Sequence, residues 1–306
     1  MPELCVGERR WTVPTGSNLL DALNAAGLNV PYSCRAGSCH ACLVHCLAGQ
    51  PADALPEALA LDKHAQGWRL ACQCRVIEDL RVAVFDPLQD GLPAQVCAVD
   101  WFGTVLRLRL RPERALRYQA GQHMVLWLGA VARPYSLASL PGDDDFLEFH
   151  IDCQRPGAFC DQLRGVQLGS QLRLGELRGG ALHYDPDWQE RPLWLLAAGT
   201  GLAPLSGILR EALRQGHRGE IKVLHVAHER AGHYLAESLR TLAGVNVECV
   251  LAEQLETALA GLRPSSRQTI ALLCGSPGSV ERFARRLFIA GVPRGQVFAD
   301  VFLEHA

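Results

Sequence analysis

Hydrophobic and polar positions divide this chain into three stretches of different period. Residues 3–14 read as short strands around a turn at Val6, Gly7 and Glu8. Residues 17–27 read as a helix, with Leu19, Leu20 and Leu23 on one face, Ser17 as candidate N-cap and Gly27 as terminator. A cysteine-rich loop covers 31–42, a polar helix-prone stretch 51–66, and strand-like runs 68–71 and 80–85. The Pro/Gly punctuation of 86–94 marks a linker, with a boundary near residue 92.

From there the apolar runs are short and alternating, at 95–99, 105–110, 123–128, 147–151 and 171–174, with turn residues between them. That spacing predicts an antiparallel barrel. After a turn-rich segment, 179–191, strands at 193–197, 221–227, 245–251 and 269–274 alternate with helices at 200–215 and 234–242. Strands alternating with helices predict a parallel sheet covered on both faces. The expected domains are therefore 1–92, 93–188 and 189–306.

Composition narrows the function. Net charge is −2, without the basic surplus of a nucleic-acid binder. The Arg excess, with Lys only at 63 and 222, reads as codon bias. No apolar run approaches the roughly 20 residues that span a bilayer, and residues 1–10 lack the apolar core of a secretory signal. The expectation is a cytoplasmic protein, with no membrane insertion and no nucleic-acid partner. In that compartment twelve cysteines point to metal or catalysis rather than disulfides.

Seven of the twelve lie before residue 75, and four have a specific spacing. Cys34, Cys39 and Cys42 stand as C-x4-C-x2-C, and Cys72 follows after a further 29 residues (43 to 71). One loop at this spacing wraps a compact iron–sulfur cluster, with the fourth thiolate arriving from a strand end. Gly37, Ser38 and Ala41 let the backbone approach the sulfides. A zinc site more often uses two C-x2-C pairs, and only Cys39–Cys42 is one. A thioredoxin-like pair lacks its βαβ context. Cys74 rivals Cys72 as fourth ligand, and Cys46 is spare.

This segment resembles the plant-type ferredoxins. The resemblance implies a β-grasp domain holding a [2Fe–2S] cluster on Cys34, Cys39, Cys42 and Cys72, with His40 where the family usually has Gly. Downstream, Arg133-Pro134-Tyr135-Ser136 resembles the R-x-Y-S/T motif of the ferredoxin–NADP reductase superfamily. That implies Arg133 on the FAD pyrophosphate, Tyr135 against the isoalloxazine and Ser136 near flavin N5. Gly157-Ala-Phe-Cys160-Asp-Gln-Leu163 resembles the family's G-x-x-S/T-x-x-L phosphate segment, with Cys160 replacing the hydroxyl. His150 and Ile151, on the preceding strand, are weaker candidates for the ribityl–phosphate region. A simple turn entering a helix is the alternative at Gly157.

The nicotinamide half carries Gly199-Thr200-Gly201-Leu-Ala-Pro after a buried strand, resembling the family's G-T-G-x-A-P turn. Cys274-Gly275-Ser-Pro277 resembles its C-G-x-P motif, which sets Cys274 near nicotinamide C4; a Cys ending a strand is otherwise packing. Phe302 is a candidate flavin guard or a core residue. Taken together, the resemblance implies a β-grasp ferredoxin domain, a β-barrel FAD domain and a Rossmann-like nicotinamide domain. It covers nearly the whole chain. The order resembles reductase components of bacterial aromatic-ring dioxygenases and multicomponent monooxygenases. It implies a hydride taken from NADH by FAD and single electrons passed through the cluster to a partner oxygenase. A stand-alone oxidoreductase on a small molecule, and a cluster that only senses, are the competing readings. Arg35, at the loop rim, is a candidate docking residue or a solvated one.

After the strand 221–227 come Glu229 and Arg230. An acidic residue there suits a free ribose hydroxyl, and an Arg suits a 2′-phosphate. Glu229 aligns with the discriminating position, so matched turnover assays are expected to give a higher kcat/KM with NADH than with NADPH. A clear NADPH preference would overturn that assignment.

Overall fold

The computed structural model describes residues 1–303 of the chain. The chain folds as two compact units: one holds 1–93, 124–134 and 172–178, and the other holds 94–123, 135–171 and 179 onward.

The first unit begins with β1 (Glu3–Val6) and β2 (Arg9–Thr12), an antiparallel hairpin, then β3 (Ser17–Asn18) and α1 (Leu19–Ala25). It continues through β4 (Leu43–Ala48), β5 (Ala52–Asp53), α2 (Leu61–Ala65), β6 (Trp68–Leu70), β7 (Cys74–Val76) and β8 (Leu80–Val84). The main sheet has the order β2-β1-β8-β4-β6, with β1 and β8 parallel and the other pairs antiparallel. The interleaved strands β3, β7 and β5 form a small antiparallel sheet in that order. Leu19, Leu20 and Leu23 of α1 are fully buried with Leu4, Val44, Leu80 and Val82 of the sheet. Burying side chains of this size contributes about 1.5–3 kcal/mol each and holds the helix in place despite its short length. The α1 cap differs from expectation: Asn18 accepts from the Asp21 amide at 3.2 Å, and the Ser17 hydroxyl instead donates to the Pro14 carbonyl at 2.7 Å. Asn and Ser cap about equally well, and the start of the helix at Leu19 puts Asn18 in the capping position. The polar stretch 51–66 yields the short strand β5, a single 3₁₀ turn, Pro56–Ala58, and one short helix, α2.

The middle strands are β9 (Leu92–Phe102), β10 (Val105–Pro112), β11 (His123–Leu128), β12 (Val131–Ser136), β13 (Leu147–Asp152) and, after α3 (Ala158–Leu163), β14 (Gln171–Arg178). Within the first unit the order is β12-β11-β14, and within the second it is β9-β10-β13, antiparallel throughout the latter. Both orders are open.

The rest of the second unit is α/β: β15 (Leu193–Ala198), α4 (Leu202–Arg214), β16 (Ile221–Ala227), α5 (Ala236–Arg240), β17 (Val245–Leu251), α6 (Leu255–Gly261), β18 (Ile270–Gly275), α7 (Pro277–Ile289) and β19 (Val297–Val301). The five strands are all parallel, in the order β17-β16-β15-β18-β19. Side chains alternate between two cores, as a strand's two-residue period requires. Leu193, Leu195 and Ala197 pack with α4 and α5, whereas Trp194 and Leu196 pack with α6 and α7 around Phe283. With helices on both faces, the strand ends are the places left open for ligands. No helix among the described residues is long and apolar enough to cross a membrane.

Candidate functional site

The four predicted ligands of the first unit come together as two neighbouring pairs. Cys34 and Cys39 share a thiol hydrogen bond, and so do Cys42 and Cys72. Cys34 Sγ also accepts the amides of Ala36, Ser38 and Cys39, each at 3.3 Å. Cys72 Sγ accepts from the Gln73 amide side chain at 3.3 Å and from the Gly37 backbone. Donation from Cys39 lowers the Cys34 thiol, and donation from Cys42 lowers that of Cys72, with the surrounding N–H groups acting in the same direction. Converging amides on four clustered sulfurs suit an anionic iron–sulfur cluster. Cys74, by contrast, is fully buried in β7 among core residues, and burial pushes its thiol up. Cys46 lies on β4.

The loop is bent by residues that ordinarily avoid such conformations. Arg35 and His40 have φ of 51° and 56°, in the left-handed region. The position of His40 thus explains the family's Gly: the backbone there demands positive φ. Arg35 is exposed, but its guanidinium pairs with Asp21 and lies 5.2 Å from the Tyr32 ring centroid. It is held rather than free.

Cys39 and Ala41 of the loop pack on Val125, Trp127 and Ala132 of β11 and β12. Ala132 directly precedes Arg133, whose Nη1 donates to the Ala132 carbonyl at 2.8 Å. The cluster loop and the first residues of the flavin motif are thus side by side within one unit. Phe85 stacks on Trp127 at 5.3 Å and adds to the same apolar contact.

In the second unit Tyr135 is half-buried and Ser136 buried. The Tyr135 ring lies 5.4 Å from Phe159 of α3. This brings Tyr135 to the segment that starts at Gly157. Cys160 Sγ donates to the Asp152 carbonyl at 3.6 Å. His150 is buried and both its ring nitrogens are taken: Nε2 by Glu148 Oε1 at 2.9 Å and Nδ1 by the Tyr234 hydroxyl at 3.0 Å. Burial keeps His150 neutral-leaning and Tyr234 protonated, so Tyr234 donates to Nδ1 and Nε2–H donates to Glu148. Burial would raise Glu148, but His150 and Arg109 outweigh it and hold the carboxyl down, at about 2. His150 therefore acts inward, tying β13 to Tyr234. Ile151 is buried and pairs with Leu106.

The two nicotinamide motifs, 75 positions apart in sequence (199 to 274), meet at the ends of adjacent parallel strands. Their contact depends on glycine. A Cβ on Gly201 would lie 2.3 Å from the Cys274 carbonyl oxygen, and one on Gly275 would lie 2.8 Å from Ala198 Cβ. Each motif therefore fills the space where the other would carry a side chain. Gly199 has φ of 55° and starts the turn that leads into α4. The turn presents α4's unpaired N–H groups, which fit a phosphate. Cys274 is fully buried; burial, then the charge of Asp300, raises its thiol far above the ordinary range. It is a neutral thiol at a strand end. Pro277 opens α7. Glu229 and Arg230 are exposed just beyond β16. Phe302 lies next to the second motif, its amide donating to the Gly275 carbonyl at 2.8 Å.

Two residues of this region have no short-range signature. Asp300 stands opposite Cys274 in the β18–β19 register, and burial raises its carboxyl. Tyr234 reaches His150 from 84 residues away.

Comparisons with known proteins follow this layout. Residues 6–76 match the model of the 2Fe-2S iron-sulfur cluster binding domain, 99–182 the oxidoreductase FAD-binding domain and 195–261 the oxidoreductase NAD-binding domain. The chain is 30% identical to the reductase subunit of an aromatic O-demethylase from Amycolatopsis sp., over 90% of this chain and 91% of that one. It is also 30% identical to the ferredoxin–NAD(P)(+) reductase component of the naphthalene 1,2-dioxygenase/salicylate 5-hydroxylase systems of Ralstonia sp., over 94% of each. Among solved structures, the Amycolatopsis cytochrome P450 reductase superposes with a TM-score of 0.65 at 26% identity, covering 99% of both chains.

The glycine contact makes a direct prediction. Gly201→Ala is expected to raise the KM for NADH by about tenfold or more, the cost of pushing the two motifs apart, while the visible flavin and cluster spectra stay unchanged. Steady-state assays and absorbance check it; an unchanged KM would contradict the contact.

Proposed function

Because this chain belongs to the ferredoxin–NAD(P)+ reductases that carry an N-terminal [2Fe–2S] domain, we propose that it is the reductase component of an oxygenase system. It takes electrons from NADH and hands them singly to a terminal oxygenase. Its activity is that of an NAD(P)H-dependent oxidoreductase with FAD and a [2Fe–2S] cluster. In this reading 1–92 is a β-grasp ferredoxin domain, 93–188 an FAD-binding barrel and 189–306 a Rossmann-like nicotinamide domain. Cytoplasmic location is part of the same proposal.

One observation carries the reading: Cys39 and Ala41 pack on Ala132, next to the pyrophosphate-binding candidate Arg133. When bound, FAD accepts the two electrons of a nicotinamide together and releases them one at a time, which the cluster can carry. The residues divide the remaining work. Cys34, Cys39, Cys42 and Cys72 hold the iron. Arg133, with Pro134 fixing the strand after it, binds the flavin pyrophosphate. Gly157 and the α3 amides add phosphate contacts, with Cys160 in place of a hydroxyl. Tyr135 supports the ring and Ser136 gives a hydroxyl near N5. His150 and Ile151 form the wall behind. Gly199, Thr200 and Gly201 seat the nicotinamide dinucleotide phosphates, and Glu229 and Arg230 select at the ribose. Cys274, Gly275 and Pro277 frame the nicotinamide, and Phe302 covers the flavin face until the nicotinamide arrives.

The relatives support the oxygenase partner, since their names tie them to demethylase and dioxygenase systems.

A pair of variants tests the route. Cys72→Ser is expected to lose the visible cluster spectrum and to cut NADH-driven cytochrome c reduction by about tenfold or more. It is expected to retain reduction of ferricyanide, which takes electrons at the flavin. Cys74→Ala is expected to keep both activities. Undiminished cytochrome c reduction in Cys72→Ser would sink the proposal that electrons leave through the cluster.

A further inference from the structure

His225, His233 and Cys249 form a compact cluster that the electron path does not use. One ligand atom from each lies within 4.8 Å of the other two. The fold builds this directly. His225 on β16 and Cys249 on β17 are partners in the parallel register, and His233 follows the 3₁₀ turn Arg230–Gly232 between those strands.

Hydrogen bonds fix which nitrogens are offered. His225 Nε2 bonds the Gly199 carbonyl at 3.0 Å, and His233 Nε2 bonds the Val250 carbonyl at 3.1 Å. A carbonyl only accepts, so Nε2 carries the proton in both rings and Nδ1 keeps its lone pair. Ligating histidines are commonly oriented by such a bond from the other nitrogen to a backbone carbonyl. His225 is wholly buried, and its Nδ1 has no hydrogen-bond partner among the described residues. Ring packing against His233, at 5.2 Å, and Tyr234, at 5.9 Å, accounts for the burial of the ring. It does not account for a buried acceptor left unsatisfied, which costs stability.

We propose that His225, His233 and Cys249 are a metal site for Zn2+, bound through the two Nδ1 atoms and the Cys249 sulfur. Two neutral imidazoles and a thiolate suit a borderline-soft ion and not Mg2+ or Ca2+, which take oxygen ligands. Zn–N bonds of about 2.0–2.1 Å and a Zn–S bond of about 2.3 Å set tetrahedral ligand atoms roughly 3.3–3.6 Å apart. The three atoms, within 4.8 Å of one another, would have to draw closer on binding, and His233 and Cys249 are the two that are only partly buried. Binding releases the thiol proton of Cys249. Three protein ligands leave a fourth position for water or an added ligand. Through His225 the ion is one side chain from Gly199, the first residue of the nicotinamide phosphate turn.

The test uses the holoprotein, with FAD and cluster in place, under anaerobic conditions. Zn2+ is titrated calorimetrically against the parent protein, Cys249→Ser and His233→Gln. The parent is expected to bind one equivalent, and each variant is expected to bind it about 10–100-fold more weakly. Both variants should retain NADH-driven flavin reduction, which shows that they fold. Zinc-edge X-ray absorption should report one sulfur and two or more nitrogen or oxygen neighbours, with the cluster absorbance unchanged. Equal affinity in parent and variants, no binding by the parent, or an all-sulfur zinc shell taken from the cluster cysteines would each overturn the site.

Discussion

A small apolar contact holds the cysteine loop against strands β11 and β12, and the proposed electron path depends on it. Cys39 and Ala41 are small enough to lie flat on Trp127 and Ala132, and Phe85 seals the contact by stacking on Trp127. A larger residue at Ala41 or Ala132 would lift the loop from the strand that begins the flavin motif. The loop tolerates its tight path because amides at Ala36, Ser38 and Cys39 turn inward to Cys34. Those amides would otherwise be unpaired donors, so the sulfur pocket and the loop's shape stabilise one another. Left-handed backbone at Arg35 and His40 is the strain accepted for that geometry.

The second unit solves a different problem, that of bringing two distant motifs to one place without side chains between them. Parallel pairing of β15 with β18 aligns Ala197 with Cys274, and glycines at 201 and 275 remove the atoms that would collide. The Glu148–His150–Tyr234 chain of hydrogen bonds then fixes β13 against the segment that precedes α5. A buried polar chain of this kind is worth its desolvation only when every member is satisfied. Here Arg109 completes it at the Glu148 end.

The chemistry was more legible in the sequence than the architecture. The cysteine spacing, the R-x-Y-S motif and the two glycine motifs are local strings, the first and last making turns that only certain residues allow and the second closing strand β12. The 29-residue gap (43 to 71) favours Cys72 over Cys74, and both cysteines lie in the core of the first unit. Other features depend on partners far along the chain. Strand β12 contains Pro134, which argues against a strand when read alone. Residues 124–134 and 172–178 group with the first unit although 94–123 does not, a pairing no local window carries. Asn18 rather than Ser17 caps α1 because a two-residue strand, β3, takes the positions where the pattern starts the helix, and α1 begins at Leu19. Asp300 and the His225–His233–Cys249 cluster became visible only once the parallel register set β16 beside β17 and β18 beside β19, and Tyr234 only through its bond to His150.

The central claim is that one chain moves electrons from NADH to its own cluster. Anaerobic titration of the purified protein with NADH, followed by absorbance and by electron paramagnetic resonance of the frozen product, tests it most directly. The account predicts flavin bleaching together with the signal of a reduced [2Fe–2S] cluster, lost in Cys72→Ser. Flavin bleaching with no cluster signal in the parent protein, its cluster intact by absorbance, would contradict it.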